Sequence, residues 1–188
     1  MWYRHPFCRT DILAGLVLAI LMSATAAHGI DSEYSRQSLK NIKAVHVLVE
    51  DLTESTRNAG FRKQNILKTT QRKLRLAGIH YLTQNQYLRV NGQPYLHVAL
   101  SALHDRSAGN LIVYYLKLEL VQNVLLERDV AILVDAPTWS IDKIGATYRI
   151  KQVQDELNDA IDRFVDAHRL ANPEGPEKQQ PLFSNPNR

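Results

Sequence analysis

Between Leu111 and Leu126 the chain alternates, with Ile112, Tyr114, Leu116, Leu118 and Leu120 on one set of positions against Lys117 and Glu119 on the other. A period of two that separates leucine from lysine and glutamate cannot sit still as an amphipathic helix. It demands a strand with one buried face, because a one-residue slip would carry every leucine into water. Sixteen residues are long for one strand, so a bulge or bend is expected at Gln122–Asn123.

The neighbouring segments supply what such a strand needs. Tyr95 to Leu103 alternates in the same way, with Leu96, Val98, Leu100 and Ala102 on one face. Ile42 to Glu50 is rich in β-branched residues and apolar on both alternating sets apart from His46, the pattern of a strand buried on both faces. Ile79 to Thr83 reads as a short strand, and Val130 to Ile141 as another, interrupted by Pro137. His104 to Gly109 and Glu127 to Asp129 are turns, while Leu52–Gly60 and Gln84–Gln93 read as connectors.

Two segments carry helical periodicity. From Phe61 to Ala77, Ile66, Leu67, Thr70, Leu74 and Ala77 share one side, and Gly78 follows as an αL cap. From Arg149 to Leu170, Ile150, Val153, Leu157, Ile161, Phe164 and His168 form one stripe, with Asp155, Asp159, Asp162 and Asp166 opposite. The 28-residue link Asp51–Gly78 suits a right-handed βαβ crossover. The order β-α-β-β-β-β-α predicts an α/β (α+β) two-layer sandwich, a mixed sheet with both helices on one face.

The N-terminus has a different grammar. Arg4 and Arg9 precede the uncharged run Ile12–Met22, and Ala24 and Ala26 give an A-x-A pattern. This is a secretory signal peptide, residues 1–26. Even counted to Ala27 the run has 16 residues, against the roughly 20 needed to span a bilayer. The alternative is an inner-membrane anchor of uncleaved residues 12–27, the one route to membrane contact. The predicted location is therefore periplasmic or secreted. Residues 27–41 follow as a polar, flexible lead-in, 42–172 as one α/β domain, and 173–188, with four prolines, as a disordered tail. Cys8, the one cysteine, precedes the apolar run and leaves with the signal, so the exported chain has no disulfide and no thiol nucleophile or zinc–thiolate site.

Catalytic signatures are lacking. No serine sits between glycines as in a nucleophile elbow, no glycine-rich phosphate loop occurs, and no histidine pair has zinc-ligand spacing. His46 and His97 read as satisfied sheet residues, and Tyr114, Tyr115 and Trp139 as core aromatics. Asp105, Glu119, Glu127, Asp129 and Asp135 could supply a carboxylate pair for a hydrolase, as most chains could. No catalytic residue, cofactor or metal is assigned.

Charge is the unusual feature. From Ser55 to His104 there is no Asp or Glu against eight basic residues. Arg62, Lys68, Arg72, Lys73 and Arg75 are the candidates for an anionic partner, an envelope protein or an anionic polymer or lipid. The contacts would be charge-assisted and salt-screened. Nucleic acid is not expected of an exported protein. The bland account is that the basic and acidic helices lie side by side and neutralise each other.

The strings VHVLVEDL, LRLAGI, PYLHVALSAL, VLLERD, APTWS and FVDAHRLANP, spanning Ile42 to Pro173, resemble as a set a widespread group of small exported bacterial proteins. The resemblance implies a signal peptide and one compact domain, and brings no activity. By element order the chain is similar to two-helix, one-sheet modules of cell-envelope assembly factors. The expectation is a non-enzymatic envelope module. The alternatives are a hydrolase with an unrecognised carboxylate or histidine site and a structural subunit with one sheet face covered by its partner.

Overall fold

The alternation of β4 (Leu111–Leu126) is fully used. It pairs antiparallel with β3 (Tyr95–Asp105) from Leu111 to Val121 and with β5 (Asp129–Thr147) along almost its whole length. With β1 (Ala44–Val49) and β2 (His80–Leu82) they form one five-stranded sheet, order β2-β1-β3-β4-β5, in which β1 runs parallel to both its neighbours. The computed structural model describes residues 30–173. The predicted signal segment, and the expected tail from residue 174 on, lie outside the described residues.

Among the described residues five helices accompany the sheet, giving an α+β fold: α1 (Glu33–Arg36), α2 (Glu54–Asn58), α3 (Lys63–Leu76), α4 (Gln84–Tyr87) and α5 (Ile150–Ala171). On α5, Val153, Leu157, Ile161 and Phe164 are buried, as are Leu116, Leu118 and Leu120 of β4 and Trp139 and Ile141 of β5. The Trp139 and Phe164 rings meet edge to face at 5.3 Å, an arrangement the ring quadrupoles favour. On α3, Ile66, Thr70 and Leu74 are buried, and the Thr70 hydroxyl is satisfied by the Ile66 carbonyl. Gly78 takes φ +78°, the left-handed conformation expected after a helix.

Several segments differ from the sequence expectation, each for a local reason. The polar stretch before β1 holds α1 and a 3-10 turn (Gln37–Leu39) because Ser32 and Ser35 cap one another reciprocally and Leu39 is fully buried. Asn172 fastens this stretch to the end of α5, accepting from the Asn41 amide and donating to the Leu39 carbonyl. The connector after β1 holds α2, whose Thr56 hydroxyl bonds the backbone amide of Ala102 where β3 has run past its last partner in β1. The loop after β2 holds α4, started by a Thr83–Gln86 capping box. β5 does not stop at Ile141 but continues to Thr147. Pro137 sits within it because the bulge falls at Leu120/Val121, where Thr138 is the extra residue. β1 is fully covered on one side, by the burial of Val45, Val47 and Val49, and only in part on the other, where Ala44 is buried and His46 half-buried but Leu48 is 43% exposed.

Two consequences can be measured. Gly145 lies directly opposite Tyr114, and a Cβ there would stand 2.5 Å from Cζ and 2.8 Å from Cε1 of that buried ring. Gly145→Ala should therefore cost about 1–3 kcal/mol in urea denaturation, as overpacking does. The cost should shrink when Tyr114 is shortened to Leu in the same chain. Burial lowers the His168 pKa, and its Nε2–H donates to the Ile42 carbonyl at 2.6 Å. The unfolded chain then takes up the proton first as pH falls. This contribution is complete above about pH 6.5 and is lost as pH drops toward the folded-state pKa. Melting curves at pH 7 and pH 5 should differ less for His168→Gln than for the wild type.

Candidate binding surface

The structure separates the five candidate cations of α3 and its cap. Arg62 turns its guanidinium back on the chain, donating to the carbonyls of Arg57 and Phe61, both at 2.7 Å. Lys73 reaches across to α5 and holds both carboxylate oxygens of Asp162 at 2.6 Å, so the two helices are neighbours. Lys68, Arg72 and Arg75 remain exposed, and none of them has an ion pair among the described residues. At 3.6 residues per turn they fall roughly 100–160° round the helix from Lys73, out of reach of α5. Mutual neutralisation of the two helices therefore accounts for one cation of the set. Leu76, 76% exposed, is the last residue of the helix, next to Arg75 and one turn on from Arg72.

A second polar group lies on the opposite face of the sheet from the Leu116–Leu118–Leu120 core. Glu119 is buried, and its Oε1 accepts from Nδ1 of His97, its register partner on β3, at 3.1 Å. The Lys117 ammonium stands 2.6 Å from Oε2. That contact is an ion pair without an aligned hydrogen bond, since Oε2 is buried and has no correctly directed donor. The carboxylate nevertheless raises the Lys117 pKa, outweighing the opposing effect of burial. Farther along the same face, Leu103, Val113 and Ile144 are 60%, 42% and 66% exposed on neighbouring rows of β3, β4 and β5. This apolar patch was not singled out from the sequence, although the alternation that buries Ile112 and Tyr114 turns Val113 outward.

The remaining histidines and carboxylates lie at several separate places. Asp135 stands near Tyr87 and Tyr95, where burial first and this carboxylate second raise both tyrosine pKa values. His46 donates from Nδ1 to the Leu82 carbonyl at 2.9 Å and its ring lies 5.3 Å from Tyr87, a satisfied sheet residue. His104 lines a polar recess with Glu54, Ser55, Asn58 and Arg106. Asp105 spends its carboxylate on its own turn, accepting from the Ser107 hydroxyl and from the amides of Ala108 and Ser107, and these bonds lower its pKa. Asp105 stands eight residues along β3 from His97, the partner of Glu119. At about 3.3 Å per residue that is roughly 26 Å, far beyond the about 5–9.5 Å of a glycosidase pair. Glu127 and Asp129 sit at the turn between β4 and β5. No group of three or more His, Cys, Asp or Glu that could hold a metal ion occurs among the described residues, and no helix among them is long and apolar enough to cross a membrane.

The His97–Glu119–Lys117 group should behave as a unit in stability. Glu119→Gln is expected to cost about 1–3 kcal/mol, the range for losing charged hydrogen bonds on a largely buried group. A double-mutant cycle with Lys117→Met should return a coupling above about 0.5 kcal/mol; additivity would dissolve the group into separate surface residues.

No protein-family model matches the chain, and no curated protein matches it. Solved structures similar to it include the PelC dodecamer from Paraburkholderia phytofirmans, at 14% identity and a TM-score of 0.45, covering 76% of this chain and 98% of that one. A minor lipoprotein from Acinetobacter baumannii matches at 12% identity and a TM-score of 0.27, covering 72% and 97%. At these scores neither similarity bears on what this chain binds.

Proposed function

We propose that this chain is an exported, non-enzymatic module of the bacterial cell envelope that binds an anionic partner through α3. In this reading both long helices pack on one face of the sheet in two layers, an arrangement supported by the Lys73–Asp162 bridge between them and the Trp139–Phe164 contact beneath. The observation that carries the binding reading is the stripe Lys68, Arg72 and Arg75, three exposed cations without an ion pair among the described residues. Export rests on the three-part grammar of residues 1–26. A second reading, a structural subunit whose partner covers the sheet face, is favoured by the apolar patch of Leu103, Val113 and Ile144.

The two readings respond differently to salt. Exposed charge contacts are screened within about 3 Å at 1 M salt, whereas apolar contacts are not. Tagged protein used for affinity capture from its own envelope extract should retain an anionic partner at low salt and release it at about 1 M. Retention should vanish in Lys68→Glu/Arg72→Glu/Arg75→Glu while the melting temperature stays near that of the wild type. A partner that survives high salt and the triple reversal, and is lost on Leu103→Asp/Ile144→Asp, would replace the first reading by the second.

A further inference from the structure

The face of the sheet turned away from the core ends in an aromatic corner. His46 on β1 and Tyr95 on β3 are register partners, and they alternate with the buried Val45, Val47 and Leu96, so both stand on that face. α4 lies over β1 and β2 and brings in Tyr87, whose ring centroid is 5.3 Å from His46 and 6.0 Å from Tyr95. The planes of the two tyrosines cross at 83°, and all three rings are half-buried, so each still reaches solvent. The loop after α4 is tied down beside them: the Asn123 amide donates to the Gly92 carbonyl at 2.8 Å, and the Asn123 side chain to Gln93 at 3.4 Å. Asn123 follows Val121, the partner of Tyr95, by two residues, so its own partner on β5, the exposed Asp135, shares the face.

The charge at this corner is one-sided. Neither Asp135 nor Arg89, two residues beyond Tyr87, takes part in an ion pair among the described residues, and Lys117 is committed to Glu119. Burial, and then Asp135, hold both tyrosine hydroxyls above their ordinary pKa, so the rings stay neutral beside an unpaired carboxylate. Aromatic faces carry the negative end of the ring quadrupole. A cation resting on both faces of two perpendicular rings at this spacing lies about 4 Å from each centroid, inside the roughly 6 Å reach of cation–π attraction. We infer that Tyr87, Tyr95 and Asp135 form a binding site for an organic ammonium group, the rings receiving its alkylated surface and the carboxylate its charge. His46 backs the Tyr87 ring and sets its angle. The inference goes beyond the reading of α3 and shares no residue with it.

Choline is the probe, and its uncharged carbon isostere, dimethylbutanol, the control. Titrated into the protein, choline should shift the ring signals of Tyr87 and Tyr95 in proton–carbon correlation spectra along a saturable curve, and the isostere should not. Asp135→Asn and Tyr87→Leu should each weaken choline by about tenfold at a wild-type melting temperature. Tyr87→Phe keeps the ring and should bind within about twofold of the wild type. Lys68→Glu/Arg72→Glu/Arg75→Glu should leave choline binding unchanged, so this site and the α3 surface stand or fall separately. Cosedimentation with phosphatidylcholine vesicles that Asp135→Asn abolishes would support the site and assign the ammonium to a lipid headgroup. Choline binding without cosedimentation would support it and assign a soluble ligand. Tyrosine signals that do not respond to choline, equal binding of the isostere, or full affinity in both Asp135→Asn and Tyr87→Leu would overturn the inference.

Discussion

β4 is bonded on both sides by antiparallel neighbours, and its alternation decides what every other element must do. With Ile112, Tyr114, Leu116, Leu118 and Leu120 all pointing one way, β3 and β5 must present Leu96, Val98, Leu100, Trp139 and Ile141 to the same side. Only elements with a continuous apolar stripe can then cover that face. α5 has such a stripe over its whole length, and Phe164 meets Trp139 at its centre. Slipping β4 by one residue would expose the set together; the extra residue Thr138 accordingly lies on β5, opposite the end of the β3–β4 pairing, and the second irregularity, at Leu125/Leu126, falls beyond it.

That dependence explains which parts were legible in the sequence. The period of two in β4 and the 3.6-residue stripe of α5 are set by burial along a single element, and they can be read without knowing the neighbours. Elements fixed by a distant partner cannot. α2 exists because Thr56 supplies the bond that Ala102 loses where β1 ends, and nothing near Thr56 in sequence announces it. Pro137 looked like a strand break because proline removes a donor, yet at the bulge that donor is not needed. The two capping boxes were readable in principle, Thr83 with Gln86 most plainly, but they open helices too short to show a period.

The candidate site divides in the same manner. The concentration of cations on α3 is a sequence fact, and so is the acidity of α5. Which cations are already committed is not, because Lys73 finds Asp162 89 residues away and Arg62 is taken up by backbone carbonyls. Lys117 and Glu119 could be placed on one face by their spacing of two, but His97 joins them only through the register of β3 on β4. Geometry reduces five candidates to three and gives those three a direction.

The outer edge of β5 has a bearing on how copies of such a protein can coexist at high density. An exposed edge strand is a template for backbone pairing between molecules. Here the Ser140 amide is occupied by the Ile30 carbonyl, the Ile30 amide is bound to the Ser140 hydroxyl, and Pro137 nearby has no amide hydrogen to give. The edge is stoppered part-way along, so at this point a neighbouring molecule finds no free backbone amide and can meet the strand only through its side chains.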